Sequence, residues 1–199
     1  MKRITKTLIP VQLAAAAVIG IAGAGSANAA THHGSVAKPA EQASIAAISA
    51  CEKKYQPKKD LTLTRAQMIT RAKSWLGKVW YSQINYHCNK YGNYRQDCSG
   101  FVSMAWGLHS KNEWTGTLIA KKYSSPIKDW KKNIMQGDAV TRQPQSSAHG
   151  HVALVEKRTS KGVWVLQENQ TGTKANRQFK SWAQLKAGGY YGIRYKHVK

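Results

Sequence analysis

Arg95-Gln96-Asp97-Cys98-Ser99-Gly100-Phe101-Val102 is the stretch on which the reading of this chain turns. Aspartate is a favoured helix N-cap. Phe101, Val102, Ala105, Trp106 and Leu108 then follow at helical spacing, which predicts a buried helix running to about Leu108. Cys98 falls in its first turn, where unpaired backbone N–H groups and the helix dipole favour a thiolate. Such a cysteine is either a nucleophile or a structural or disulfide-bonded residue, and the rest of the chain has to decide between them.

The N-terminus places the chain in an oxidising compartment. Lys2, Arg3 and Lys6 precede a mostly apolar run from Leu8 to Ala24, and Ser26-Ala27-Asn28-Ala29 offers an Ala-x-Ala site. This is the pattern of a signal peptide, residues 1–29, cut near Ala29 and leaving a secreted, extracellular or wall-associated protein. Gln12, the glycines of the run and the small residues after it argue against a retained anchor. No second apolar stretch is long enough to span a bilayer. Residues 30–60 read as a partly flexible lead-in and 61–199 as one folded domain.

The formal charge is +22. Removing the three basic residues of the leader leaves about +19, more than solubility requires. It implies an anionic partner. Cell-wall polymer, anionic lipid and nucleic acid all qualify, and an anionic cell-wall or bacterial-surface target is preferred. Nucleic acid is disfavoured, because the basic residues are spread out and no zinc finger, arginine-rich tail or recognised module is present. A monomer is expected. Three cysteines, 51, 88 and 98, are an odd number for an exported protein. The economical pairing is Cys51 with Cys88, which leaves Cys98 free. The rival pairing of Cys88 with Cys98 would abolish a nucleophile. The Cys and His spacings do not suit zinc, and no cofactor is required.

The predicted elements run helices first, strands after. Thr62 to Leu76 reads as a helix, with Thr62 or Thr64 as cap and Gly77 just past its end. Trp80 to Tyr94 reads as an irregular aromatic loop. Ser125-Pro126 reads as the opening of a short helix, and Gln136-Gly137-Asp138 as a turn into a β-like stretch at Ala139-Val140. His151 to Glu156 and Val163 to Glu168 read as a hairpin across Lys161-Gly162. Gly172 to Arg177 reads as loop, and Tyr190 to Val198 as a final strand. This order defines an α+β domain with the Cys98 helix packed on a small antiparallel sheet.

Thiol catalysis needs a base and a group that orients it. Of seven histidines, His151 opens a core strand and so has a fixed direction. His149, in the Ser-rich loop before it, is the weaker candidate. The orienting group is expected from the end of the partner strand. Period 2 puts Trp164, Leu166 and Glu168 on one face and Val163, Val165 and Gln167 on the other. Glu168 is preferred as the charged candidate, with Gln167, Asn169 and Gln170 as neutral alternatives. The Cys98 N–H would supply one oxyanion donor, with Tyr81 or Gln83 contributing another. Asp97 is expected to cap the helix.

Asp97-Cys98-Ser99-Gly100-Phe101-Val102, Gly137-Asp138-Ala139-Val140 and Gly150-His151-Val152-Ala153-Leu154-Val155, in that order, resemble the NlpC/P60 family of papain-like cell-wall cysteine peptidases. The likeness covers roughly Thr64 to Tyr195, and the related CHAP family shares the Cys-then-His order. It implies Cys98 as nucleophile, His151 as general base and Tyr81 as the tyrosine upstream of the nucleophile. An NlpC/P60 likeness implies cleavage between D-glutamate and the diamino acid of the peptidoglycan stem. A CHAP likeness, to which Glu168 conforms better, implies the N-acetylmuramoyl–L-alanine bond or the cross-bridge. The rival readings are transfer of the acyl group to another amine and a basic binding protein with an inert Cys98.

Overall fold

The helix that begins at Cys98 is separated by two residues from the preceding strand, which ends at Arg95, and Asp97 caps its first turn. In the computed structural model, which describes residues 39–143 and 150–199, the Asp97 Oδ1 accepts from the Gly100 N–H at 2.7 Å. Residues 1–38, which include the expected signal peptide and the start of the lead-in, and residues 144–149, which include His149, lie outside the described residues. Every residue of the helix Cys98–Trp106 is buried. A Cβ on Gly100 would sit 1.8 Å from the Arg95 carbonyl oxygen, so only glycine lets the helix start this close to the strand before it. Gly107 ends the helix in the left-handed conformation, φ 71°, returning its N–H to Met104.

Ahead of it come helix α1 (Pro39–Tyr55) and helix α2 (Arg65–Lys73); the Cys98 helix is α3. Thr64 caps α2 in a reciprocal capping box with Gln67, resolving the choice between the two threonines. Met68, Ile69 and Ala72 of α2 join Trp75, Phe101 and Met104 in one core cluster. Arg71 is buried among them. Burial depresses its charge affinity, and the Met104 and Tyr91 carbonyls take its N–H groups at 2.7 and 3.2 Å. Cys51 of α1 is bonded to Cys88, and Cys98 is a free, buried thiol, as the cysteine count anticipated.

The segment before α3 departs from the expected irregular loop. It forms a hairpin of β1 (Tyr86–Asn89) and β2 (Gly92–Arg95), closed by Lys90-Tyr91. The Asn89 side chain accepts from the Tyr91 N–H, and Gly92 takes a positive φ of 125°. The turn chemistry was in the sequence. Its strands are too short and too polar to show an apolar alternation.

The sheet has six antiparallel strands, ordered β3-β8-β4-β5-β6-β7. They are β3 (Ser124–Pro126), β4 (Ala139–Arg142), β5 (His151–Arg158), β6 (Gly162–Gln167), β7 (Asn176–Ser181) and β8 (Tyr191–Tyr195). Short helices α4 (Thr115–Leu118), α5 (Trp130–Asn133) and α6 (Trp182–Ala187) complete the order. Two expectations are corrected here. Ser125-Pro126 ends an edge strand, where proline's missing N–H costs no ladder bond. The end of the expected 172–177 loop enters β7, an edge strand with polar and basic side chains that carries no hydrophobic signature.

Both faces of the sheet are covered. Ala139, Val152, Leu154, Leu166 and Ile193 pack with the α2–α3 cluster. Val140, Ala153, Val155, Val163 and Val165 pack with Leu185 of α6 and Ile134. The Gly137-Asp138 turn is a structural pin: the Asp138 carboxylate, almost fully buried, pairs with Arg65 at 3.0 Å and Arg194 at 2.8 Å. It thereby ties the start of α2 to β4 and β8. The fold class is α+β, helices first, with the Cys98 helix lying on an antiparallel sheet. Among the described residues no helix is long and apolar enough to cross a membrane.

Candidate active site

Helix α3 brings Cys98 to a cleft of about 590 Å³, and the start of β5 brings His151 to the same cleft. Tyr81, Thr115, Arg142 and Tyr190 also line it. Tyr81 reaches it because its N–H bonds to the Thr173 carbonyl, which pins the 77–82 segment beside the sheet end. Its hydroxyl accepts from Gln83 at 3.1 Å. Burial and the nearby Cys98 both raise the Tyr81 pKa, so this phenol is a donor at neutral pH.

Asp97 is committed to structure, as expected. Besides Gly100, its carboxylate takes the Ser99 hydroxyl at 3.0 Å and the Arg95 Nε at 2.6 Å. Capping uses the Gly100 N–H and leaves the first two amides, of Cys98 and Ser99, without an intrahelical acceptor. The Cys98 Sγ lies 3.8 Å from the Thr115 hydroxyl, with the Val152 and Ser99 N–H groups also bearing on it. These donors favour the thiolate. Burial, with the Asp97 charge added, favours the thiol more strongly, and the net direction is up. A helix start alone therefore overstates the acidity of Cys98, because a dry site penalises any unpaired anion.

His151 is buried, and its ring is held by a chain of amides. Gln167 Nε2 donates to Gln178 Oε1 at 2.7 Å, which turns Gln167 Oε1 toward His151 Nε2 at 3.0 Å. An acceptor there assigns the ring proton to Nε2 and leaves Nδ1 as the basic nitrogen. Burial drives the His151 pKa down to about 4, and the Lys180 and Arg142 charges push the same way against the Gln167 bond. The resting pair is a neutral thiol and a neutral imidazole.

The expectation that Glu168 orients His151 is corrected by this geometry. Alternation along β6 puts Gln167 on the face with Val163 and Val165, and His151 shares that face through Ala153 and Val155. Glu168 falls on the other face, fully buried, and neither carboxylate oxygen has a hydrogen-bond partner among the described residues. Burial, reinforced by the Asp97 charge, raises its pKa to about 8. Asn169 and Gln170 reach the cleft wall, and the His151 ring nitrogen bonds to Gln167 instead.

The raised Glu168 pKa has a consequence for stability. The neutral acid is the form the fold tolerates, so its stability is fully present below the unfolded pKa, near 4.5. It is lost as pH rises toward about 8, where the buried carboxylate ionises. Glu168→Gln keeps the shape and removes the ionisation. Its melting temperature is expected to match wild type near pH 4.5 and to exceed it by roughly 3–8 °C at pH 9. A difference independent of pH would refute the assignment.

Two cleft residues, Arg142 and Tyr190, had no marker in the sequence. They reach the site through strand register: Arg142 stands directly across the β4–β5 ladder from His151. A basic residue ending a short strand has no distinguishing periodicity.

No family model matches the chain, and no curated protein matches it. Among solved structures, the Resuscitation Promoting Factor Interacting protein RipA, in two mutated forms, aligns at 17% identity with a TM-score of 0.42. A hypothetical invasion protein of Mycobacterium tuberculosis gives the same values. An NlpC/P60 family protein from Bacillus cereus ATCC 10987 aligns at 16% identity with a TM-score of 0.45. The first three alignments cover 66% of this chain and 61% of those chains; the last covers 67% of this chain and 40% of that one.

Proposed function

We propose that the protein is a secreted cysteine peptidase of NlpC/P60 type that hydrolyses an amide bond in peptidoglycan stem peptides, the D-glutamyl–diamino acid bond being preferred. The observation that carries this reading is the pairing of a free Cys98 at a capped helix start with a His151 whose Nε2 is held by a neutral amide, in one cleft. A neutral orienting residue supports the NlpC/P60 reading over the CHAP one, because the departure toward CHAP rested on Glu168.

The chemistry follows from the resting protonation states. As Cys98 Sγ attacks the substrate carbonyl, His151 Nδ1 takes the thiol proton, and Gln167 Oε1 holds the Nε2–H of the resulting imidazolium. The Cys98 amide at the helix start and the Tyr81 hydroxyl stabilise the tetrahedral oxyanion. The imidazolium returns its proton to the leaving amine as the C–N bond breaks, leaving a thioester on Cys98. His151 then deprotonates water, which attacks the thioester; the acid departs and the thiol is restored. Residues 1–29 act as the export signal, the disulfide suits an oxidising exterior, and the large positive charge holds the enzyme on anionic wall polymer.

Digestion of purified peptidoglycan by wild type and Cys98→Ala, with mass spectrometry of the new termini, tests this. Wild type is expected to expose diamino acid N-termini, and Cys98→Ala to release them at least about 1,000-fold more slowly. No Cys98-dependent product from several wall types would overturn the reading. New termini at another bond would correct the substrate while leaving the mechanism in place.

A further inference from the structure

Arg142 has no acid partner among the described residues and stands beside the proposed base. In the β4–β5 ladder it is directly opposite His151, so the two side chains leave the same face. On its other side, Tyr190 precedes β8, and the Arg142 guanidinium lies over the Tyr190 ring, 5.5 Å from the centroid. Tyr190 in turn meets the His151 ring edge-on at 6.3 Å. The Arg142 Nε is buried and has no hydrogen-bond partner among the described residues. An arginine nitrogen left so is uncommon, since a buried donor without a partner costs free energy that folding does not recover.

The surrounding charge reinforces the point. Asp97, Asp138 and Glu156 are held by Arg95, by Arg65 and Arg194, and by Lys73 and Arg177. No ion pair among the described residues involves Arg142. Lys180 of β7 shares the sheet face with His151 and borders a smaller cavity of about 150 Å³ that also has Tyr190 in its wall. It is half-buried, lacks an acid partner among the described residues, and it and Arg142 each disfavour positive charge on the other groups nearby. The cleft wall next to His151 is thus a cationic pocket with a fork-shaped donor and a phenol, and no carboxylate among the described residues pairs with Arg142 there.

We propose that Arg142, flanked by His151 and Tyr190, binds a carboxylate on the leaving-amine half of the substrate and makes the enzyme selective for it. This inference rests on the peptidase reading. In that reading His151 hands its proton to the leaving amine, so the residue bearing that amine lies against His151. Arg142, one ladder position away, is within reach of a carboxylate on the same residue. The planar guanidinium offers paired N–H donors to the two carboxylate oxygens, a geometry that a lysine matches only as a point charge. A carboxamide presents one oxygen and an NH₂ that cannot accept, so it leaves a donor of Arg142 unpaired.

The test uses two synthetic peptides, L-Ala-γ-D-Glu-diaminopimelate with the diamino acid carboxylates free or converted to carboxamides. Wild type is expected to favour the free acid by about 10–100-fold in kcat/KM. Arg142→Gln is expected to bring that ratio within roughly threefold of unity, and Arg142→Lys to fall between them. Melting temperatures of both variants check that the fold is retained. In parallel, calorimetry measures binding of free diaminopimelate and of its diamide to wild type and Arg142→Gln, a readout that needs no turnover. An acid preference in rate or binding that Arg142→Gln leaves unchanged, or no acid preference in wild type, overturns the proposal while the peptidase reading stands. Failure of wild type to cleave either peptide or whole peptidoglycan overturns the peptidase reading, and the binding comparison still decides the role of Arg142.

Discussion

His151→Ala is expected to lower kcat/KM on the wall substrate by at least about 1,000-fold, because His151 is the only histidine among the described residues that lines the Cys98 cleft. The size of the effect follows from the state of Cys98. Were the cysteine a preformed thiolate, loss of the histidine would impair mainly protonation of the leaving amine. Burial keeps the thiol protonated, so the same histidine must first remove the proton. The pH profile carries a second, sharper signature. With the His151 pKa pushed down to about 4, the acid limb of kcat/KM is expected near that pH. Gln167→Glu places an anion on Nε2 and favours the imidazolium, so the limb is expected to move up by about 1–2 pH units, toward neutrality. Gln167→Ala is expected to lower the rate roughly 10–100-fold by freeing the ring. An acid limb that stays near pH 4 in Gln167→Glu would show that Gln167 does not hold the working nitrogen.

The second large effect concerns the link between Cys51 and Cys88. It closes a loop across a sequence separation of 37 and joins α1 to the β1–β2 hairpin, which leads directly into the Cys98 helix. Chain-entropy arguments give such a cross-link about 3–4 kcal/mol. The double variant Cys51→Ser/Cys88→Ser is expected to melt roughly 8–14 °C below wild type. The fold is expected to survive, because Asn93 still bonds Glu52 at 2.8 Å and Gln56 still bonds the His109 carbonyl at 2.8 Å. Cys98 takes no part in the bridge, so a thiol titration of the unfolded wild type should find one free thiol. A melting shift under about 2 °C would mean that these polar contacts, rather than the disulfide, anchor α1.

These outcomes depend on features of unequal visibility in the sequence. Helix α3 was legible because its signals are local: a capping aspartate, an apolar stripe and a glycine at each critical position. The β5–β6 hairpin was legible for the same reason, since two apolar runs flank a Lys-Gly turn. The free Cys98 followed from an odd number of cysteines, and the pairing of the other two from economy. The β1–β2 hairpin and β7 were not legible, because short polar strands carry no alternation and are stabilised by the elements they pack on.

Within the site, the sequence by itself determined the cysteine, the histidine and their order. The alternation that separates Gln167 from Glu168 was also in it, as a choice between two faces. Only the tertiary structure decided which face His151 occupies, because strand register depends on partners distant in the chain. The same register set Arg142 against His151 and left Glu168 fully buried away from that face. Protonation belongs to the tertiary structure as well: a helix start favours a thiolate wherever it is, but burial, which no local pattern reveals, makes Cys98 a thiol and His151 a neutral base.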